Sequence, residues 1–217
     1  MSLKLLIVGA GDTGREVLQY AYDCHRAGHS MQVRGFIDID RNALDGFDLD
    51  VKIIGDDSYI PEDNEVYIIA VGDANLREKL AHQITAAGRN LISIIHPSAY
   101  VAPSAHIGAG CIIAPLSFVA VNARLADNVF VNVCSVVGHD ASLGRHTVIS
   151  PGAMIGGTSI LGDGVFVGSN AVIVPGRTVG AGSKITAGSV LYQDVGAHQM
   201  VHGNPAKCGV LIQPKNT

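Results

Sequence analysis

Val131-Asn132-Val133-Cys134-Ser135-Val136-Val137-Gly138-His139-Asp140-Ala141-Ser142-Leu143-Gly144-Arg145-His146-Thr147-Val148-Ile149 decides the fold, because Val131, Val137, Leu143 and Ile149 recur every six residues. Continued in both directions, the step finds an aliphatic residue at all seventeen stops from Ile95 to Leu191, with no insertion. Four residues after a stop the side chain is mostly small, as at Ala123, Ser135, Ala141 and Ala153, and Arg177 is the large exception. Directly after the stop there is often a glycine, among them Gly138, Gly144, Gly156 and Gly162, where a tight corner tolerates no Cβ. A period of six is neither helical nor simple strand alternation. It is the period of chains that wind into a parallel β-helix. The expected object is a prism of short strands, three hexads to a coil, with the stops in a narrow core and the coils stacked about 4.8 Å apart.

The rest of the composition bounds the function. The 217 residues can bury a substantial core, and 47% hydrophobic with 16% charged residues describes a globular chain. A net charge of −4 with no basic stripe argues against nucleic acid as a partner. Cys24, Cys111, Cys134 and Cys208 show neither CxxC nor zinc spacing, which reads as reduced thiols in a cytoplasmic protein. No apolar run reaches membrane-spanning length, and Leu3 to Val8 reads as a first core strand rather than a leader.

That first strand runs into Gly9-Ala10-Gly11-Asp12-Thr13-Gly14 and then an apolar-periodic segment from Arg15 to about His25. Strand, glycine-rich turn and helix together bring backbone N–H groups and a helix N-terminus up to a phosphate. A second strand, Val33 to Ile37, ends at Asp38, placed either for ribose or base donors or simply in a solvated turn. A short strand near Val51 to Ile54 and a clearer one from Glu65 to Val71 follow. Gly72-Asp73-Ala74-Asn75 then leads into a helix over Leu76 to Ala87, with Asp73 or Asn75 as its cap and Gly88 closing it. Leu91 to Ile95 reads as a last strand. Residues 1–95 are therefore expected to form a small Rossmann-like parallel sheet, and residues 96–217 the β-helix. The rhythm fails after Leu191, so the tail from Tyr192 to Thr217 is expected to cap the open end of the prism.

A prism of this kind is mostly scaffold, so polar residues in the hexads mark the chemistry. Asn132, His139, Asp140 and His146 form the densest run. Eighteen residues after His139, at the same place one coil on, stands Gly157. A histidine beside a bare backbone N–H suits a base next to an acyl oxygen, and Asp140 would orient the imidazole. Successive strand residues face opposite sides, so this pair can meet only near a corner. The competing reading is a surface pair, and His146 reads equally as a substrate contact or a solvated corner.

These features resemble a known family, the two-domain sugar acetyltransferases of the left-handed β-helix class, often called the sialic acid O-acetyltransferase family. It includes N-acetyltransferases of nucleotide-linked 4-amino sugars. The resemblance rests on the glycine loop from Gly9 to Gly14, Gly35-Phe36-Ile37-Asp38, Val71-Gly72-Asp73 with Asn75 and Arg77, His96-Pro97-Ser98-Ala99, Asn132 with Gly138-His139-Asp140, Pro151-Gly152-Ala153, and Gly203-Asn204-Pro205-Ala206-Lys207. It implies a homotrimer with active sites at the subunit boundaries, and acetyl-CoA as co-substrate in the groove between prisms, with no metal. His139 matches the family's general base, Asp140 its acidic partner and Asn132 an active-site amide. Gly157 matches a backbone contact to the acetyl-CoA thioester region, and Lys207 is a further candidate cofactor contact. The glycine loop with Gly9, Gly11, Asp12, Thr13 and Gly14, together with Asp38 and the Gly72-Asp73 turn, matches the nucleotide-sugar pocket, and Asn75 and His146 are further candidate substrate contacts. The chain departs from the family pattern in three places: Val148 stands where a second histidine is common, Thr13 stands where the loop often has His, and Ile39 splits the paired acids.

The expected reaction is acetyl transfer from acetyl-CoA to the amine of a nucleotide-linked amino sugar. Four rivals are weighed beside it. They are O-acetylation of a sugar hydroxyl, a zinc hydratase on the same prism using His139 and His146, a non-catalytic nucleotide-sugar sensor, and an NAD-dependent oxidoreductase. The last is disfavoured because Asp38 falls later after the loop than the roughly 20 residues of a dinucleotide site.

Overall fold

The computed structural model describes residues 3–60, 62 and 64–210. Four parallel strands, β1 (Leu3–Val8), β2 (Met31–Ile37), β3 (Ile53–Gly55) and β4 (Glu65–Ile69), form a sheet in the order β3-β2-β1-β4. Alternation along β1 divides its side chains. Leu5 and Ile7 join the layer packed under helix α1 (Asp12–Arg26), while Leu6 and Val8 face Leu80 and Ile84 of helix α2 (Ala74–Ala86). Chain order reverses between β1 and β4, and this switch point is where an open α/β sheet offers a ligand crevice. Asp73 caps α2 by accepting from the Leu76 N–H at 2.9 Å. Gly88, at φ +69°, ends it with two backbone bonds, Gly88 N–H to Thr85 and Arg89 N–H to Ile84.

The expected last strand of this sheet divides differently. Leu91 makes a single parallel bridge to Tyr67, whereas Ile94–Ile95 pair with Ile112–Ile113 and so form the first rung of the prism. From there the two-residue strands up to Val172–Ile173 each pair in parallel with the one eighteen residues on, as Arg124 with Ser142 and Phe130 with Val148. Three sheets result, one per face. The stops line one continuous core, with Val119, Val131, Val137, Ile149, Val167 and Ile185 all at 0% exposure. A Cβ at Gly138 would stand 2.5 Å from the Gly157 nitrogen, and one at Gly156 2.4 Å from the Pro175 nitrogen. These glycines therefore exist because successive coils touch backbone to backbone. The left-handed corner residue comes two positions later, and Asn122, Asn128, Asp140, His146 and Asn170 fill it in different coils. Asparagine and aspartate tolerate this conformation better than most side chains.

The outward residues distinguish the three faces. Ile94, Ile112, Phe130 and Val148 are buried under the front domain, in one cluster with Val17 and Leu18 of α1. His106, Arg124, Ser142, Ile160 and Thr178 make a mixed face. Tyr100, Phe118 and Met154 make an apolar one, at 52%, 42% and 49% exposure, with the Tyr100 and Phe118 rings stacked at 4.9 Å.

Two polar clasps join the domains. His96 Nε2 donates to Asp23 Oδ2 at 3.0 Å, across from α1. Arg77 of α2, at 0% exposure, donates to the Ile69 and Val71 carbonyls at 2.7 and 3.1 Å and to Asn128 Oδ1 at 2.6 Å. At the prism's far end, Gln199–His202 extends one face and pairs antiparallel with Lys207–Val210. A hairpin thus covers that end, while residues 211–217 of the expected cap lie outside the described residues. None of the four cysteines is in a disulfide.

Candidate active site

His139 and Asp140 occupy a corner between the apolar and mixed faces. Asp140 is the left-handed residue, at φ +58°, and this corner conformation lets two sequence neighbours meet, with His139 Nδ1 and Asp140 Oδ2 2.9 Å apart. Asn122, one coil earlier, donates a second bond to Asp140 at 3.1 Å. The His139 bond first, and the Asn122 bond after it, hold the Asp140 carboxyl below the usual carboxylate range. An ionised carboxylate only accepts, so Nδ1 carries the proton of the pair. Nε2 is left as the basic nitrogen.

That nitrogen faces Gly157. A Cβ built there would stand 2.4 Å from His139 Nε2 and 2.7 Å from Cε1. The Thr158 N–H donates to the His139 carbonyl at 2.7 Å, which locks the one-coil register. Both members of the pair are open to solvent, at 62% and 48% side-chain exposure. An oriented imidazole over bare backbone, accessible from outside, can take a proton from a bound nucleophile.

Asn132 and His146, read in the sequence with His139 as one run, stand on the other two corners of the same chain. Asn132 turns its Oδ1 back to accept from the Val133 N–H at 2.7 Å. His146 is neither a solvated corner nor beside His139. It is half-buried, and its Nδ1 accepts from Asn128 Nδ2 at 3.0 Å. Burial lowers the His146 pKa most, with Glu78 and Arg77 acting in opposite directions. Among the described residues no group of three or more His, Cys, Asp or Glu side chains converges as a metal site.

In the front domain the loop is built by close approach. A Cβ on Gly14 would lie 2.1 Å from the Gly9 carbonyl, and Gly9 itself is at φ +99°. Gly11 has open space where a Cβ would go. Asp38 braces this loop, accepting from the Ala10 N–H at 2.6 Å and, through its other oxygen, from Asp40 at 2.9 Å. Asp12 pairs with Arg15, whose guanidinium stands 3.8 Å from the Phe47 ring centre. Thr13 lies in the first turn of α1. Gly72 and Asp73 form the turn after β4, and Asn75 is exposed at the start of α2. A cleft of about 360 Å³ beside the ends of β1 and β2 is lined by Val8, Ile37, Tyr59, Leu80 and Arg89. A roomier cleft of about 540 Å³, around Tyr22, His25 and Arg34, lies away from the glycine loop. Lys207 is exposed on the cap hairpin, opposite His202.

Arg77 stands among the residues that carry the family resemblance; its burial between the front domain and the prism, with Asn128 as partner, is what the chain alone did not show.

Comparison with known proteins agrees with this fold. Residues 4–84 match the PglD N-terminal domain, and residues 158–193 match the bacterial transferase hexapeptide (six repeats). The acetyltransferase domain of PglB from Neisseria gonorrhoeae FA1090, in complex with acetyl coenzyme A, is 32% identical with a TM-score of 0.86, over 96% of this chain and 100% of that one. PerB from Caulobacter crescentus, in complex with CoA and GDP-perosamine, is 29% identical with a TM-score of 0.75, over 95% and 97% of the two chains. A UDP-N-acetylbacillosamine N-acetyltransferase of Bacillus subtilis (strain 168) is 42% identical over 48 residues, a match that spans 22% of either chain. A PglD-type front domain on a left-handed hexapeptide β-helix, aligned end to end with the PglB acetyltransferase domain, shows that the chain belongs to the family of acetyl-CoA-dependent β-helix sugar acetyltransferases.

Proposed function

We propose that this chain acetylates the 4-amino group of a nucleotide-linked sugar, with His139 as general base. The observation that carries the reading is the His139–Asp140 pair set over Gly157. The amine attacks the thioester carbonyl of acetyl-CoA, so that a C–N bond forms and the C–S bond breaks. Nε2 of His139 takes the amine proton and passes it to the departing CoA sulfur. Backbone N–H groups near Gly157 steady the oxyanion. Asp140 keeps the imidazole in the tautomer with Nε2 unprotonated and stabilises its charged form.

The nucleotide lies at the switch point of the front sheet, against the loop from Gly9 to Gly14 and the Gly72–Asp73 turn. The assembly is a homotrimer. Two things support this: the exposed apolar strip of Tyr100, Phe118 and Met154, which a second copy would cover, and the separation of Asn132 from His139 on different corners of one chain. A neighbouring prism would bring its own corner to the groove where acetyl-CoA lies, and Gly157 and Lys207 would line that groove. PerB was solved with CoA and GDP-perosamine and the curated relative is named for a UDP-linked amino sugar, which supports this class of acceptor.

The test mixes purified protein, acetyl-CoA and UDP-, dTDP- and GDP-linked 4-amino sugars, and follows thiol release and product mass. Thiol release with a product heavier by one acetyl group on nitrogen is expected with at least one of them. Release only with a free sugar hydroxyl would replace the reading with O-acetylation.

A further inference from the structure

Every acceptor of the buried Arg77 guanidinium among the described residues is an amide carbonyl oxygen. They are the backbone of Ile69 and Val71 on one side, and the backbone and side chain of Asn128 on the other. Ile69 and Val71 lead directly into the Gly72–Asp73 turn, and the Arg77 N–H itself donates to the Asp73 carbonyl at 2.9 Å. Asn128 is a prism corner residue at φ +58° and 0% exposure. Its amide returns a bond to the Arg77 carbonyl at 3.1 Å and passes another to His146. One planar fork therefore spans the turn and the column, and the amide beyond it ties in the next coil.

A buried charge of this kind is costly unless its donors are satisfied. Nothing about helix packing alone calls for it, since an apolar side chain would fill the same space against Phe130, whose ring centre is 5.6 Å from the guanidinium carbon. What a guanidinium supplies and a methylene chain does not is fixed geometry in two directions at once. We infer that Arg77 is a positioning residue for the acceptor substrate: it fixes the Val71–Asp73 turn to the Asn128 corner, and so sets the nucleotide-holding loop relative to the column that carries His139. The inference rests on the reading that this turn holds the nucleotide sugar.

The test compares wild type with Arg77→Lys, which keeps the charge and loses the fork. Hydrogen exchange by mass spectrometry should show residues 70–76 and 126–130 loosening together, with β1, α1 and the later coils as protected as before. The KM for the nucleotide-linked amino sugar should rise about tenfold or more, while the KM for acetyl-CoA stays within about twofold, because small misplacements of a bound substrate are expensive in rate and binding. Unchanged exchange, loosening of one segment alone, or a general loss of protection in which both KM values and kcat worsen together would overturn the inference. If Arg77→Lys does not fold, Asn128→Gly carries the same readouts. It keeps the left-handed backbone and the carbonyl, and removes only the side-chain amide. If wild type transfers acetyl to none of the UDP-, dTDP- or GDP-linked amino sugars, the functional reading falls and exchange alone decides: joint loosening upholds the bridge, independent behaviour overturns it.

Discussion

The imidazole of His139 lies against the α-carbon of Gly157, eighteen residues on and one coil away, so closely that a methyl group at Gly157 would stand 2.4 Å from Nε2. Because the ring is 62% exposed, it can swing outward rather than disturb the coil. Gly157→Ala should therefore leave the melting temperature nearly unchanged, as surface substitutions do at within about 0.5 kcal/mol, yet lower kcat about tenfold or more by displacing the base. Steady-state kinetics beside a thermal melt checks this. A large loss of stability would show that the ring cannot move.

His139→Ala removes the base itself. Turnover should fall by at least about 10²-fold, with the oligomer and circular dichroism spectrum unchanged, since the side chain is exposed and its lost partner, Asp140, keeps Asn122. Full activity in this variant would refute the assigned role.

Met154 is a half-exposed apolar residue in the middle of the strip that begins with Tyr100 and Phe118. A charge there is harmless in a monomer and costly in a buried interface. Met154→Glu should therefore shift the protein from the proposed trimer to smaller species in analytical ultracentrifugation, and activity should fall with it. A trimer that persists would place the interface elsewhere.

His146 has a pKa lowered chiefly by burial. A histidine whose folded pKa lies below its unfolded value favours the folded state fully above about pH 6.5, and that advantage is lost as pH falls through the folded value. Protonation would also set two donors, Nδ1–H and the Asn128 amide, against each other. His146→Gln keeps an acceptor and cannot titrate. Between pH 7 and pH 5 its melting temperature should drop less than that of wild type. Parallel pH profiles for the two proteins would show that His146 does not carry the acid sensitivity.

The sequence by itself determined the column. A period of six with aliphatic stops leaves one arrangement in which every stop is inside, and coil-to-coil contact makes Gly138 and Gly156 necessary. The eighteen-residue coil also put His139 next to Gly157, and the glycine loop between strand and helix was enough to mark the start of a Rossmann-like sheet, whose switch point only the strand order shows. The same coil divides Asn132, His139 and His146, neighbours in sequence, among three different corners. What each corner residue touches was not legible along the chain. Nor was the use of each polar group legible. Whereas Asp73 is the helix cap that its place before Leu76 offered alongside Asn75, Asp38 braces the glycine loop and Arg77 is buried between two domains. Hydrogen-bond partners of that kind come from segments far apart in sequence, Arg77 from Asn128 by 51 residues, and only the packing of α2 onto the prism brings them together.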